Sequence, residues 1–208
     1  MATYEAKIFN IPSLEGISDE SVKQHIALYE GYVKNFNAIS AKIAAYAKES
    51  TETHALALGE LVRRKSFEFD GMRLHEYYFP QFAGGAKPLN QDSVLGKALS
   101  SEYHGYFVEY MKAIANMRGP GWAVCYWDSE TKPARTTDGV QSGGQFQTGF
   151  IGEQHQGLFA TLPIILALDV WEHAFLLDHG ATGKAKYIDA FFANLNWSVI
   201  EERFSALQ

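Results

Sequence analysis

From Ser18 onward, apolar side chains return every three or four positions, at Val22, Ile26, Tyr29, Val33 and Phe36. That period predicts an amphipathic helix running to about Ala47. "ISDES" offers Ser18 as an N-cap with acidic residues in the first turn. The polar break "KESTET" separates it from a second helical stretch, roughly 54–64, and another begins near Gly71, carries His75, and is stopped by "YYFPQFAGGAKP". "QDSVLGKALSSEYHGYFVEYMKAIANM" reads as two more helices. "GWAVCYWD" alternates aromatic and β-branched residues as a strand does, the turn "SETK" and the Gly/Gln-rich "DGVQSGGQFQTGF" come next, "LPIILAL" fits a buried strand, and "KYIDAFFANLNWSVIEERF" closes the chain with helix. The expected fold class is α+β: an N-terminal antiparallel helical hairpin domain over residues 1–88, packed on a C-terminal α/β domain over residues 89–208 with a small antiparallel sheet. Neither an internal repeat nor a low-complexity tract is visible.

Composition narrows the partners. The 208 residues are 47% hydrophobic and 14% aromatic, which is a globular composition. A formal charge of -6 disfavours nucleic acid or an acidic membrane as partner, since both need a basic surface, but leaves room for a small anion at a locally basic opening. The start "MATYEAKIFN" has no basic region ahead of an apolar core, and no apolar run approaches the roughly 20 residues of a membrane span. A soluble cytoplasmic protein is expected. Cys125 is the single cysteine, so any metal must be held by His, carboxylate or water.

The candidate chemistry centres on "LDVWEHAF", which puts an Asp, a Glu and a His inside five residues directly after the apolar "LPIILA". Charged groups at the edge of such a run are costly unless something pairs or binds them. If Asp169 closes the strand and His173 opens the next helix, the two converge on one point, and carboxylate with imidazole is a ligand set for Fe, Mn or Zn. Alone, that spacing is more often a hydrogen-bonded core pair. His25, on the apolar face of the first helix, and His75, among aromatic neighbours, change the balance. One ion would satisfy all four side chains.

These segments resemble the iron/manganese superoxide dismutases, especially their archaeal-type members, over roughly residues 14–204. "LDVWEHAF" is similar to the family signature D-x-W-E-H-A-Y. "FDGMRLHEYYF" resembles the segment bearing the second ligand, "GPGWAVCYWD" the G-x-G-W strand start, "FFANLNWSVIEERF" the terminal W-x-x-V-N-W helix, and "ISDESVKQH" with "GYVKNFN" the first-ligand helix. The resemblance implies one Fe or Mn ion per subunit, bound by His25, His75, Asp169 and His173 with solvent as a fifth ligand. It further implies Tyr32 at a substrate funnel and Gln154 bonded to the solvent ligand, with His155 as the alternative under a shifted alignment. Gly71 would stand where iron-type members often place that glutamine. Trp122 and Trp171 would wall the pocket, and Glu172 would reach a ligand histidine of a partner subunit.

The activity so implied is conversion of superoxide to dioxygen and hydrogen peroxide, in a homo-oligomer, dimer or tetramer. The alternatives are a metal-dependent oxidase or oxygenase on the same scaffold, or a non-catalytic metal-binding homologue. Three departures stand out. The family's K-H-H or G-H-H stretch after the first ligand is here "IALYEG", with no histidine and one residue fewer. A one-residue deletion rotates every later residue by about 100° on a regular helix; loss of a one-residue π-bulge from the family's helix would restore the register. Phe175 and Leu176 stand where two tyrosines are usual, and Phe79 replaces a tryptophan. The gateway is thus expected to be remodelled around an intact metal cage.

Overall fold

The computed structural model describes residues 3–131 and 143–207. Helices α1 (Asp19–Glu49) and α2 (Ala55–Tyr78) form an antiparallel hairpin, and a 3-10 turn spans Phe79–Phe82. Helices α3 (Val94–Tyr103) and α4 (Phe107–Ala115) lead to strand β1 (Gly121–Asp128), followed by β2 (Gln145–Gly152) and β3 (Ile164–Asp169). Helices α5 (Glu172–His179), α6 (Lys184–Asn194) and α7 (Trp197–Ser205) complete the chain. The sheet is antiparallel with order β2-β1-β3. The end of "SETK" and the start of the Gly/Gln-rich segment lie outside the described residues. No helix among the described residues is long and apolar enough to cross a membrane.

Helix α1 begins as the pattern predicts, with the Ser18 hydroxyl accepting the Ser21 N–H at 3.1 Å. It runs without interruption past Tyr32, and buries His25, Tyr29, Val33 and Phe36 along one face. The expected separation of 54–64 from a later helix is corrected: α2 is one continuous 24-residue helix. Its apolar period is obscured because Glu68 faces inward beside Phe67, and because Gly71 occupies a crowded helix contact. The closing helix is corrected too. It breaks at Leu195, and the Asn196 side chain caps α7 by accepting Ser198 N–H at 3.1 Å while donating to Ala83 O at 2.6 Å.

β3 is an edge strand, yet it is buried along its whole length. An edge leaves backbone polar groups unpaired, and burial makes that expensive. Gln81 answers it from the helical half: its amide donates to Ala167 O at 2.8 Å and accepts Ala167 N–H at 3.0 Å. Arg203 adds a bond from its guanidinium to Ile165 O at 2.6 Å and a second to Tyr77 O at 3.1 Å. β3 is therefore tied to α2 and α7, and its last residue, Asp169, is aimed between the hairpin helices.

Candidate metal centre

Four elements meet at one point. His25 comes from α1, His75 from α2, Asp169 from the end of β3, and His173 from the first turn of α5. One ligand atom from each lies within 4.8 Å of the others. His25 Nε2 is 3.0 Å from His75 Nε2, and Asp169 Oδ2 is 3.2 Å from His25 Nε2, 3.6 Å from His75 Nε2 and 3.1 Å from His173 Nε2. His25, His75 and Asp169 are buried, and the His173 side chain keeps 20% of its surface exposed.

The surroundings orient each ligand. His75 Nδ1–H donates to Gly71 O at 2.6 Å, which leaves the Nε2 lone pair facing the cluster. Asp169 Oδ1 accepts the Trp171 backbone N–H at 2.8 Å, which turns Oδ2 toward the three imidazoles. Burial pushes the His75 pKa down to about 3, and burial also lowers that of His25, so both rings are neutral at physiological pH. Burial alone would raise the Asp169 carboxyl; the adjacent His173 and His25 outweigh it and hold it below the usual carboxylate range.

Three imidazole nitrogens and a carboxylate oxygen thus converge with more lone pairs than protons to fill them. A single borderline cation relieves that excess, and an N3O donor set without thiolate fits Fe or Mn. A polar chain runs alongside. Trp122 Nε1–H donates to Gln154 Oε1 at 2.8 Å, and Gln154 Nε2 donates to the Tyr32 hydroxyl at 2.9 Å. Gln154 is fully buried, whereas His155 packs edge-on against Phe67 at 5.6 Å; of the two candidates, only Gln154 bonds Tyr32. Burial, and then the charge of Asp169, pushes the Tyr32 pKa well above its ordinary value.

Gly71 allows this contact. A Cβ there would lie 2.7 Å from Tyr32 Cδ1, so a larger residue would collide with the ring. Trp122 stands edge-on to His75 at 5.0 Å, and Trp171 stacks on His173 at 5.9 Å while its indole N–H donates to Glu153 O at 3.0 Å. Phe79 lies 5.0 Å from the His25 ring. Glu172 is exposed and takes no part in the cluster within this chain.

Residues 92–203 match the family model described as the C-terminal domain of iron/manganese superoxide dismutases. The chain is also 32% identical over 198 residues to an iron superoxide dismutase of Aquifex aeolicus, covering 92% of this chain and 86% of that protein. The chain belongs to the iron/manganese superoxide dismutase family. Two further members of the family extend the range of relatives. An iron superoxide dismutase of Saccharolobus solfataricus is 28% identical over 204 residues, covering 94% of this chain and 89% of its own. A manganese superoxide dismutase of Mycolicibacterium smegmatis is 28% identical over 187 residues, covering 88% and 81%.

Several residues that surround the cluster carry little signal in the sequence. Gln81 shows no periodic pattern, because its role depends on an edge strand distant in sequence. Tyr29 is fully buried, accepts Lys7 N–H at 2.8 Å and donates to Glu76 Oε1 at 3.2 Å. The Arg64–Glu68 pair is signalled only by its i,i+4 spacing. Of the histidines in polar stretches, His104 is exposed, but His54 stacks on Tyr46 at 4.1 Å and His179 donates to Gly16 O at 2.7 Å.

Proposed function

We propose that this chain is a superoxide dismutase that binds one Fe or Mn ion through His25, His75, Asp169 and His173. The observation that carries the reading is the convergence of those four ligand atoms in a buried pocket built from four separate elements. When bound, the ion supplies one-electron redox chemistry, by which one superoxide is oxidised to dioxygen and a second reduced to peroxide. Peroxide formation consumes two protons, and the protein must deliver them without flooding the pocket. Gln154 is held at both ends of its amide, by Trp122 and by Tyr32, so its orientation is fixed. Because Tyr32 accepts from Gln154, its own O–H proton is left to donate, and the raised pKa keeps that proton on Oη at working pH. Tyr32 is half-buried and so bridges Gln154 and solvent. The rings of Trp122, Trp171, Phe79 and Phe67 exclude bulk water.

An oxidase, an oxygenase or a non-catalytic role is not favoured, since the compact ring-walled pocket suits a small anion and the similar proteins carry dismutase names. The same reading includes a homo-oligomer: Glu172 is exposed on α5 near the exposed Leu176 and Leu177, the kind of face a second copy would cover. It keeps the division at residue 88, supported by the helices that make up residues 19–82 apart from one turn, against the mixed helix and strand that follow. The lone, buried Cys125 suits a reducing compartment such as the cytoplasm. Elemental analysis of the purified protein with a cytochrome c reduction assay tests the function. One Fe or Mn per chain with fast dismutation is expected; a loaded chain without dismutation would overturn the reading.

A further inference from the structure

Helix α2 carries a charged pair that the metal cage does not require. The Glu68 side chain is only 2% exposed, and its Oε1 accepts Arg64 Nε–H at 2.7 Å. Asn35 of α1 donates to Oε2 at 3.4 Å. The Arg64 guanidinium lies 3.9 Å above the Phe67 ring. Phe67 in turn sits 6.1 Å from the Tyr32 ring, 5.6 Å from His155 and 6.4 Å from Trp171, the indole stacked on His173. These rings border His173, the most exposed of the four clustered side chains. Arg64 therefore stands over the ring that borders the exposed side of the cluster, where an entering anion would pass.

Burying a carboxylate to hold an arginine is costly, and the neighbouring Arg63 shows the cheaper alternative in its exposed pair with Glu60. The expense is explained if the position of the Arg64 charge matters. The chain as a whole carries -6, and Glu153 adds a half-exposed carboxylate beside the same opening. An approaching anion meets a repulsive surface unless a cation is fixed at the mouth. The bond to Glu68 uses Nε, and among the described residues neither terminal NH2 group of Arg64 donates to a protein acceptor. The Arg64 side chain keeps 44% of its surface exposed while ring and carboxylate hold it in place.

We propose that Arg64 steers the anionic substrate into the funnel, with Glu68 as its positioning residue. This rests on the dismutase reading above. The test uses the metal-loaded full chain, with azide as a small anionic probe titrated optically beside measurement of kcat/KM at varied ionic strength. Arg64→Ala is expected to weaken azide binding and to lower kcat/KM about three- to tenfold at low salt, with both losses vanishing near 1 M salt, where the screening length is about 3 Å. Arg64→Lys should recover most of the effect. The pair Arg64→Met with Glu68→Gln leaves net charge unchanged and no carboxylate stranded, so it secures folding, and it should behave like Arg64→Ala. Folded, loaded variants with wild-type azide affinity and wild-type salt slope would overturn the proposal. A loaded wild-type chain that fails to dismutate superoxide would sink the functional reading instead, and the azide titration would still report on Arg64.

Discussion

Gly71 and Tyr32 are separated by 39 residues and meet at van der Waals limits, which makes the glycine a condition for the tyrosine's position. Gly71→Ala is expected to push the Tyr32 ring aside, break its bond to Gln154 and lower activity about tenfold, while overpacking destabilises the fold by about 1–3 kcal/mol. Dismutation assays and thermal melts check both. Asp70, one position away, predicts a pH effect. Burial raises its carboxyl pKa to about 6 from the ordinary 3.8. The folded state thus binds that proton more tightly than the unfolded chain, and stability falls as pH rises from about 4 to 6. Allowing for the part of the carboxyl that still meets water, the loss is about 1–2 kcal/mol. Asp70→Asn should raise the melting temperature at pH 7.5 and leave it nearly unchanged at pH 4. His25, His75, Asp169 and His173, whose side chains converge in the fold, stood out in the sequence because polar residues on apolar faces need a reason to be there. Glu68 and Asp70 were not, because a carboxylate on a helix reads as solvated until its neighbours are known.

At the scale of elements, the junction of the two halves depends on two amides. Gln81 satisfies both backbone groups of Ala167 on the buried edge of β3. Gln81→Leu strands both, and is expected to destabilise the protein by about 2–4 kcal/mol, with weakened metal retention because β3 also carries Asp169. Chemical denaturation with metal analysis of the same samples reads the two effects together. Asn196 both caps α7 and holds Ala83, so Asn196→Ala should lower stability by about 1–2 kcal/mol in the same measurement. Periodicity found α1, β1 and β3 because each has one consistent environment along its length. It divided α2 and fused α6 with α7, since α2 is largely exposed up to Ser66 and buried along much of its length only from Phe67 onward, and the α6–α7 break is accompanied by a long-range contact to Ala83 that no local pattern encodes.

Across the whole molecule, the centre is a junction, and an ion bound there ties both helices of the hairpin to the sheet and to α5. Metal loading should therefore raise the unfolding free energy of the entire chain, by about 4 kcal/mol at a free-ion concentration a thousand times the dissociation constant, and chelation should reverse it. Calorimetry of loaded and stripped protein checks this. What the sequence alone determined was the inventory: which residues are too polar for their apolar surroundings, which stretches have one buried face, and that one cysteine cannot build a multi-thiolate metal site. The tertiary structure alone decided which of those residues meet. His25 and Asp169 are separated by 144 residues, Tyr32 and Gln154 by 122, and the register that joins them comes from packing rather than from any short-range spacing. A pattern along the chain reports the environment of each residue one at a time; only the closed fold converts those separate environments into distances.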